Sequence, residues 1–220
     1  MRTSLTVIIP TLNAADTLAA TLATVRGQTV IVVDGGSSDR TVAIAHEHDI
    51  ETTKAPRGRG PQLRVGVAAA DTPWVLLLHA DTRPARDWPA AARSHMAAWP
   101  DHAGYFDFAL DTNDPRARRL EQAVAWRCRR FALPYGDQGL LVRKAVLAAV
   151  GGIRPLPLME DVDLARRLGA ARLRRLGCPA LTSPARWEGD GWRRRSAKNL
   201  LCLSMFRCGV PPVMIRRLYG

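Results

Sequence analysis

The chain has 220 residues, enough for one sizeable α/β domain and short for two. A hydrophobic content of 47% is that of an ordinary globular protein and excludes a disordered, collagenous or disulfide-stapled chain. The net charge of +12, from 32 basic and 20 acidic residues, favours polyanionic partners, among them nucleoside diphosphates, acidic membrane surfaces and nucleic acid.

Residues 5–10 form a continuous apolar run, as expected of a strand buried on both faces. The run is too short for a secretory signal, and no segment offers the roughly 18 or more apolar residues that a membrane span needs. The expectation is therefore a cytoplasmic protein with reduced thiols. Cys128, Cys178, Cys202 and Cys208 form no C-x-x-C pair and read as buried apolar filler. Asn13 is placed to cap a helix over residues 14–26, with Leu18, Leu22 and Val25 on one face and Gly27 at its end. A second buried strand over 30–33 ends at Asp34, and residues 35–38 make a tight turn. A short helix over about 39–48, a third strand over 50–54 and a loop over 57–60 follow. A helix over about 61–70 leads into a fourth strand, 74–78, which ends at His79, Ala80 and Asp81. This strand–helix alternation predicts a parallel, doubly wound sheet.

The pattern then changes. Asp87 is placed to cap a helix reaching residue 99, and residues 105–111 alternate as a strand facing two environments. An Arg-rich amphipathic helix covers 115–131, a turn and short strand cover 135–142, and a helix opens at residue 160 and runs to 168. From Arg193 onward, basic residues flank an apolar helix over 200–206 and a last short helix. With no linker in view, the sequence predicts one domain over residues 1–220. Its nucleotide-binding half is about 1–100, its acceptor half about 101–192 and its helical tail about 193–220.

In an open α/β sheet, ligands bind at the carboxyl ends of the strands, which is where Asp34 and Asp81 fall. Helix capping by Asp34 and turn formation by Asp81 are the alternative readings. LTVIIPTLN at 5–13, VIVVDGGSSD at 30–39 and VLLLHADT at 75–82 resemble the nucleotide-side motifs of family 2 glycosyltransferases. YGDQGLLV at 135–142 and PLMEDVDLARRL at 157–168 resemble their acceptor-side motifs. The resemblance is to a small bacterial subgroup with HAD in place of DxD, and it implies a GT-A-type fold. It also implies transfer of a sugar, with inversion, from a nucleotide diphosphate sugar to an acceptor hydroxyl.

The resemblance further implies roles for individual residues. Pro10, Thr11 and Asn13 lie beside the nucleoside, and Asp34 accepts its hydrogen bonds. Gly35 stands where many relatives carry a second acid, which leaves the base open. Asp81 holds Mn²⁺ or Mg²⁺ against the diphosphate, with Ala80 beside it. His79 replaces the first acid of DxD; it either ligates the metal or hydrogen-bonds a neighbour. Arg57 and Arg59 offer paired donors to the diphosphate, and solvated loop arginines are the alternative. Asp161, opening a helix, is the general base, with Glu160 next to the acceptor and Asp163 of less weight. Gly136, Asp137 and Gln138 lie beside acceptor and donor sugar, where a ligand-free β-turn is the other reading. Trp187 stacks on a sugar or belongs to the core, and Ser183 stands where processive synthases have the Gln of Q-x-x-R-W.

The basic tail around Leu200, Leu201, Leu203, Met205 and Phe206 suits an anionic membrane interface and a lipid-linked acceptor, or a helix packed on the domain. Nucleotidyltransferases and methyltransferases are disfavoured because no Gly-rich segment follows strand one. A nucleic-acid-binding module leaves Asp34, Asp81 and Asp161 unexplained. A degenerate relative that binds nucleotide without turnover remains as the reading suggested by Gly35 and His79.

Overall fold

A computed structural model describes residues 4–219. Met1, Arg2 and Thr3, at the start of the N-terminal stretch considered above, and Gly220 lie outside the described residues. One mixed sheet runs through both parts of the chain in the order β3-β2-β1-β4-β7-β6-β8-β5. Its strands are β1 (Leu5–Thr11), β2 (Thr29–Asp34), β3 (Thr52–Lys54), β4 (Trp74–Leu77), β5 (Thr82–Pro84), β6 (Ala103–Leu110), β7 (Leu140–Arg143) and β8 (Leu173–Thr182).

The first four strands are parallel, as the alternation predicts; β1 pairs with β2 from Thr6↔Thr29 to Thr11↔Asp34. Beyond β4 the sheet is mixed. β7 runs antiparallel to β4 and β6, β8 runs parallel to β6, and β5 runs antiparallel to β8.

The helices are α1 (Ala15–Thr24), α2 (Thr41–Glu47), α3 (Arg59–Ala69), α4 (Trp88–Ala98) and α5 (Pro115–Phe131). They continue with α6 (Lys144–Ala149), α7 (Glu160–Leu168), α8 (Ala185–Asp190), α9 (Trp192–Arg207) and α10 (Pro212–Tyr219). β1 shows why the sheet is covered on both faces. Ile8 points into a core with Val33, Val75 and Leu77, while Val7 and Ile9 point into a second core with Leu18, Leu22 and Trp88. All three β1 side chains are fully buried, each stabilising the fold by about 2 kcal/mol. Helix α3 lies directly on β1 because Gly66 has no side chain; a Cβ there would stand 2.3 Å from Ile8 Cγ2.

Several expectations change. Asn13 does not cap α1: it adopts a left-handed φ of 50°, and its Oδ1 accepts from Ser38 N at 2.9 Å. Asp39 serves that end instead, accepting from Ala15 N at 3.0 Å and from Thr41 N at 2.9 Å, so one carboxylate holds the starts of α1 and α2. Asp87 precedes α4 without a side-chain cap bond. Arg59 and Gly60 belong to α3 rather than to a loop, because Gly60 presses on the backbone of residues 154–156, where a Cβ would meet Leu156 O at 2.6 Å. Strands β5 and β8 and helices α6 and α8 were not anticipated, and α9 is far longer than residues 200–206. Three cysteines are buried as expected, but Cys208 is exposed.

Candidate active site

The β1–α1 and β2–α2 turns are laced to each other at the carboxyl edge of the sheet. Asp34 is 3% exposed. Its carboxylate accepts from Gly36 N (2.9 Å), Ser37 N (2.9 Å), Ser37 Oγ (2.5 Å) and Thr11 Oγ1 (3.3 Å). Burial works to raise its pKa, but these donors outweigh it, and the group titrates below the usual carboxylate value. Gln62, on α3, donates from Nε2 to Thr11 O at 2.7 Å and Val33 O at 2.8 Å. A Cβ on Gly35 would stand 3.1 Å from the Gln62 amide, so a side chain beside Asp34 would require Gln62 to shift by a few tenths of an ångström.

In front of these turns runs an open groove of about 430 Å³. Pro10, Thr11 and Asn13 form one side, Arg57 and Arg59 another, and His79, Ala80 and Asp81 its floor. Asp34 and Gly35 do not line it; they support it from beneath. Asp81 also faces a smaller inner cavity of about 70 Å³ with Asp137, Asp161, Arg186 and Trp187. The structure thus brings Asp81 and Asp161 to one cavity from separate elements.

Asp161 opens α7. Its Oδ2 accepts from Gly136 N and its Oδ1 from Val162 N, both at 2.7 Å. Gly136 is required for that approach, since a Cβ there would lie 2.4 Å from His79 Nε2. Asp137 sits in the 3-10 turn Gly136–Gln138, and its Oδ1 is buried with no hydrogen-bond partner among the described residues. Its pKa is raised to about 6, by burial first and with Asp161 and Asp81 adding to the rise, against the opposing pull of Arg127 and Arg59. His79 is held well below the usual histidine value, by burial first and then by Arg59 and Arg186, so the ring is neutral. Its Nε2 lies 3.4 Å from Arg59 Nη1, and its Nδ1 lies 4.0 Å from Asp81 Oδ1. Arginine can only donate, so Nε2 accepts and the ring proton sits on Nδ1.

Two predicted site residues are turned elsewhere. Gln138 is buried; its Nε2 donates to Phe106 O at 3.0 Å and its Oε1 accepts from Arg127 Nη2 at 3.1 Å. Glu160 is buried against Arg59, with Nε 2.7 Å from Oε1, and faces neither the groove nor the inner cavity. The contact is ionic rather than a well-aligned hydrogen bond, because neither Glu160 oxygen receives one. Trp187 lines the inner cavity, tilted against Phe108 at 6.0 Å, with Nε1 unpartnered among the described residues. Asp163 is bound by Arg154 at 2.9 Å and Arg167 at 2.6 Å.

Sequence reasoning missed Gln62, and it missed Arg195, Asn199 and Tyr219, which α9 and α10 carry back over the inner cavity. No local signal marks them, since their role depends on how the last helices return.

A sheet of this order, with acids and arginines gathered at the carboxyl ends of its strands, defines a nucleotide-binding α/β enzyme of GT-A type. Residues 6–141 match the family described as Glycosyl transferase family 2, and the chain belongs to that family. The pre-mycofactocin glycosyltransferase of Mycobacterium tuberculosis is 34% identical over 211 residues, covering 87% of this chain and 45% of the relative. Staphylococcal (S. aureus) TarS 1-349 in complex with UDP-GlcNAc matches with a TM-score of 0.63 at 16% identity, covering 81% of this chain and 58% of that one. Glucosyl-3-phosphoglycerate synthase from M. tuberculosis, in complex with Mn²⁺, UDP-glucose and glycerol 3-phosphate, matches at a TM-score of 0.60 and 16% identity. That match covers 94% of this chain and 80% of the synthase. Likeness at this identity establishes the fold. The chain spans 37% to 45% of the length of the curated relatives it matches.

Proposed function

We propose that the chain moves a sugar from a nucleoside diphosphate sugar to an acceptor hydroxyl, with inversion at the anomeric carbon. The observation that carries this reading is the shared cavity of Asp81 and Asp161 beside a groove edged by Arg57, Arg59 and Arg186. HAD in place of DxD fits the subgroup reading, and the common sheet supports treating residues 1–220 as one transferase domain.

Three carboxylates, Asp81, Asp137 and Asp161, line the inner cavity, and one Asp137 oxygen is unpartnered. Carboxylate oxygens are the donors a hard cation prefers, and Arg59, Arg186 and Arg195 in the same lining leave their charge to be shared with an anionic ligand. Among the described residues no three His, Cys, Asp or Glu side chains gather as a complete metal site. Asp81, which borders both the groove and the inner cavity, would hold the ion against the diphosphate. Bound Mn²⁺ or Mg²⁺ supplies Lewis-acid stabilisation of the departing diphosphate.

The chain's own residues do the rest. Thr11 and Asn13 border the nucleoside, and Arg57, Arg59 and Arg186 bind the diphosphate by charge-assisted bonds. His79, neutral, positions the Asp81 side of the groove. Asp161 takes the proton of the acceptor hydroxyl, its two oxygens oriented by the Gly136 and Val162 amides. Asp137 and Trp187 offer an acceptor and a donor to sugar hydroxyls.

Thermal shift with a panel of nucleoside diphosphates and their sugars, with and without Mn²⁺, tests the reading. A metal-dependent shift for one nucleotide that disappears in Asp81→Ala is expected. Asp161→Asn should keep that shift and lower turnover by about 10²–10⁴-fold. No shift with any nucleotide would remove the transferase reading; a shift with no turnover of any donor would favour a degenerate relative.

A further inference from the structure

Helices α9 and α10 have two sides. On the inner side, Cys202 and Ile215 are fully buried and Leu203 nearly so, while Arg195 stacks on Tyr219 and pairs with Asp190 at 3.0 Å. Leu203 of the apolar run is buried, and Met205 and Phe206 are half-buried against the core. On the outer side stand Leu200 and Leu201 of α9 and Val213, Met214 and Leu218 of α10, each between 45% and 64% exposed. They are five of the eight large apolar side chains so exposed among the described residues, which makes this a patch rather than scatter.

The charges carried by the two helices are of one sign, with Asp190 of α8 already paired to Arg195. Arg193, Arg194, Arg207, Arg216 and Arg217 are exposed on the same two helices, and residues 191–220 contain no Asp or Glu. A second copy of this chain would bring like charges together across such a face. A nucleic acid backbone would answer the arginines and leave five apolar side chains in water. An anionic bilayer satisfies both, since headgroups meet the arginines and the acyl boundary takes the leucines, valine and methionine.

We propose that the outer face of α9 and α10 docks on an anionic phospholipid bilayer, with the helices lying in the interface. Among the described residues no helix is long and apolar enough to cross a membrane; docking through this face is interfacial, and its electrostatic part depends on salt. The same helices carry Asn199 to the inner cavity and Arg216 to the outer groove, so docking sets the site beside the lipid surface. The docking itself does not depend on the transfer reaction; that an acceptor arrives from the bilayer does.

Flotation of the full chain decides the matter, with vesicles of phosphatidylglycerol and phosphatidylcholine in equal parts against phosphatidylcholine alone. The chain should float with the anionic vesicles and stay behind with the neutral ones. Replacing Arg193, Arg194, Arg207 and Arg217 together by Gln should lower partitioning on the order of a thousandfold. Leu200→Ser, Leu201→Ser, Met214→Ser and Leu218→Ser combined should abolish the binding that survives high salt. A polarity-sensitive dye on exposed Cys208 of the otherwise native chain should shift to the blue with anionic vesicles, whether or not the variants fold. The proposal is overturned by a chain that stays behind with anionic vesicles and an unmoved dye, or by folded variants that float like the parent. DNA binding or dimerisation in place of vesicle binding overturns it equally.

Discussion

Replacing Glu160 by glutamine separates the cost of a buried charge from the value of its partner. The carboxyl side chain is 2% exposed, lies 2.7 Å from Arg59, and receives no well-aligned hydrogen bond. Burial raises its pKa from 4.5 to about 6, with Arg59 opposing and Asp161 adding to the rise. The difference corresponds to about 2 kcal/mol between protonation states. The folded state therefore holds this proton more tightly than the unfolded chain. The resulting stabilisation is complete below the unfolded value of 4.5 and is lost as pH rises through about 6. Glutamine does not titrate, and Arg59, 30% exposed, recovers some water when its partner is neutral. Between about pH 4 and about pH 8 the native chain should thus lose about 2 kcal/mol relative to Glu160→Gln. Urea unfolding of both chains at both pH values measures this, and groups that titrate independently cancel in the double difference. Parallel pH dependences would refute the reasoning. A difference of opposite sign would mean that the ion pair outweighs the burial.

Two glycines and one cap give further tests. In Gly60→Ala the new Cβ meets backbone, at 2.6 Å from Leu156 O and 2.7 Å from Arg154 O, so the loss of stability should exceed the usual 1–3 kcal/mol or so of overpacking. In Gly66→Ala the contact is the Ile8 methyl group at 2.3 Å, and a gain of about 1 kcal/mol in helix propensity offsets part of the cost. Denaturation midpoints should therefore rank Gly60→Ala below Gly66→Ala, and the reverse order would refute the packing assigned to α3. Asp39→Ala should cost about 1 kcal/mol by uncapping α1 and α2. The Thr41 hydroxyl above all holds the Asp39 pKa below 3.8 despite desolvation. The stabilisation is therefore present above that value, and its loss in the variant should fade as pH falls through the lowered pKa.

Much of the nucleotide-side half is legible in the sequence because its signals are local. Continuous apolar runs followed at once by polar turn residues mark the parallel strands β1, β2 and β4. The second half is less legible. Leu173–Thr182 reads LRRLGCPALT, with arginines, a glycine and a proline where a buried strand would have apolar residues, because β8 is mostly exposed along its first half. Its place between β6 and β5 is fixed by tertiary pairing, not by propensity. The cap at α1 was misplaced for a similar reason: Asn13 precedes the helix in sequence, but the carboxylate that reaches its amides comes from the next loop.

Site residues divide along a line that motif spelling does not mark. A carboxylate or amide at the end of a strand can hold its own loop together or can face a ligand, and both tasks select the same residue types. What separates them is whether neighbouring donors already occupy the oxygens. Asp34 takes four donors from its turn and from Thr11, and Gln138 is bound by the backbone of Phe106 and by Arg127. Among the described residues, Asp137 leaves one buried oxygen without a partner, and Asp81 accepts only from Thr82 Oγ1 at 3.3 Å. A group with unused acceptor capacity at the edge of a cavity has a reason to bind something there, whereas a saturated one supports the wall. On that criterion Asp81 and Asp137 keep acceptor capacity for the proposed ligand, whereas Asp34 is spent on its own turn. Asp161 stands between, since each of its oxygens takes one amide and keeps room for a second donor such as an acceptor hydroxyl.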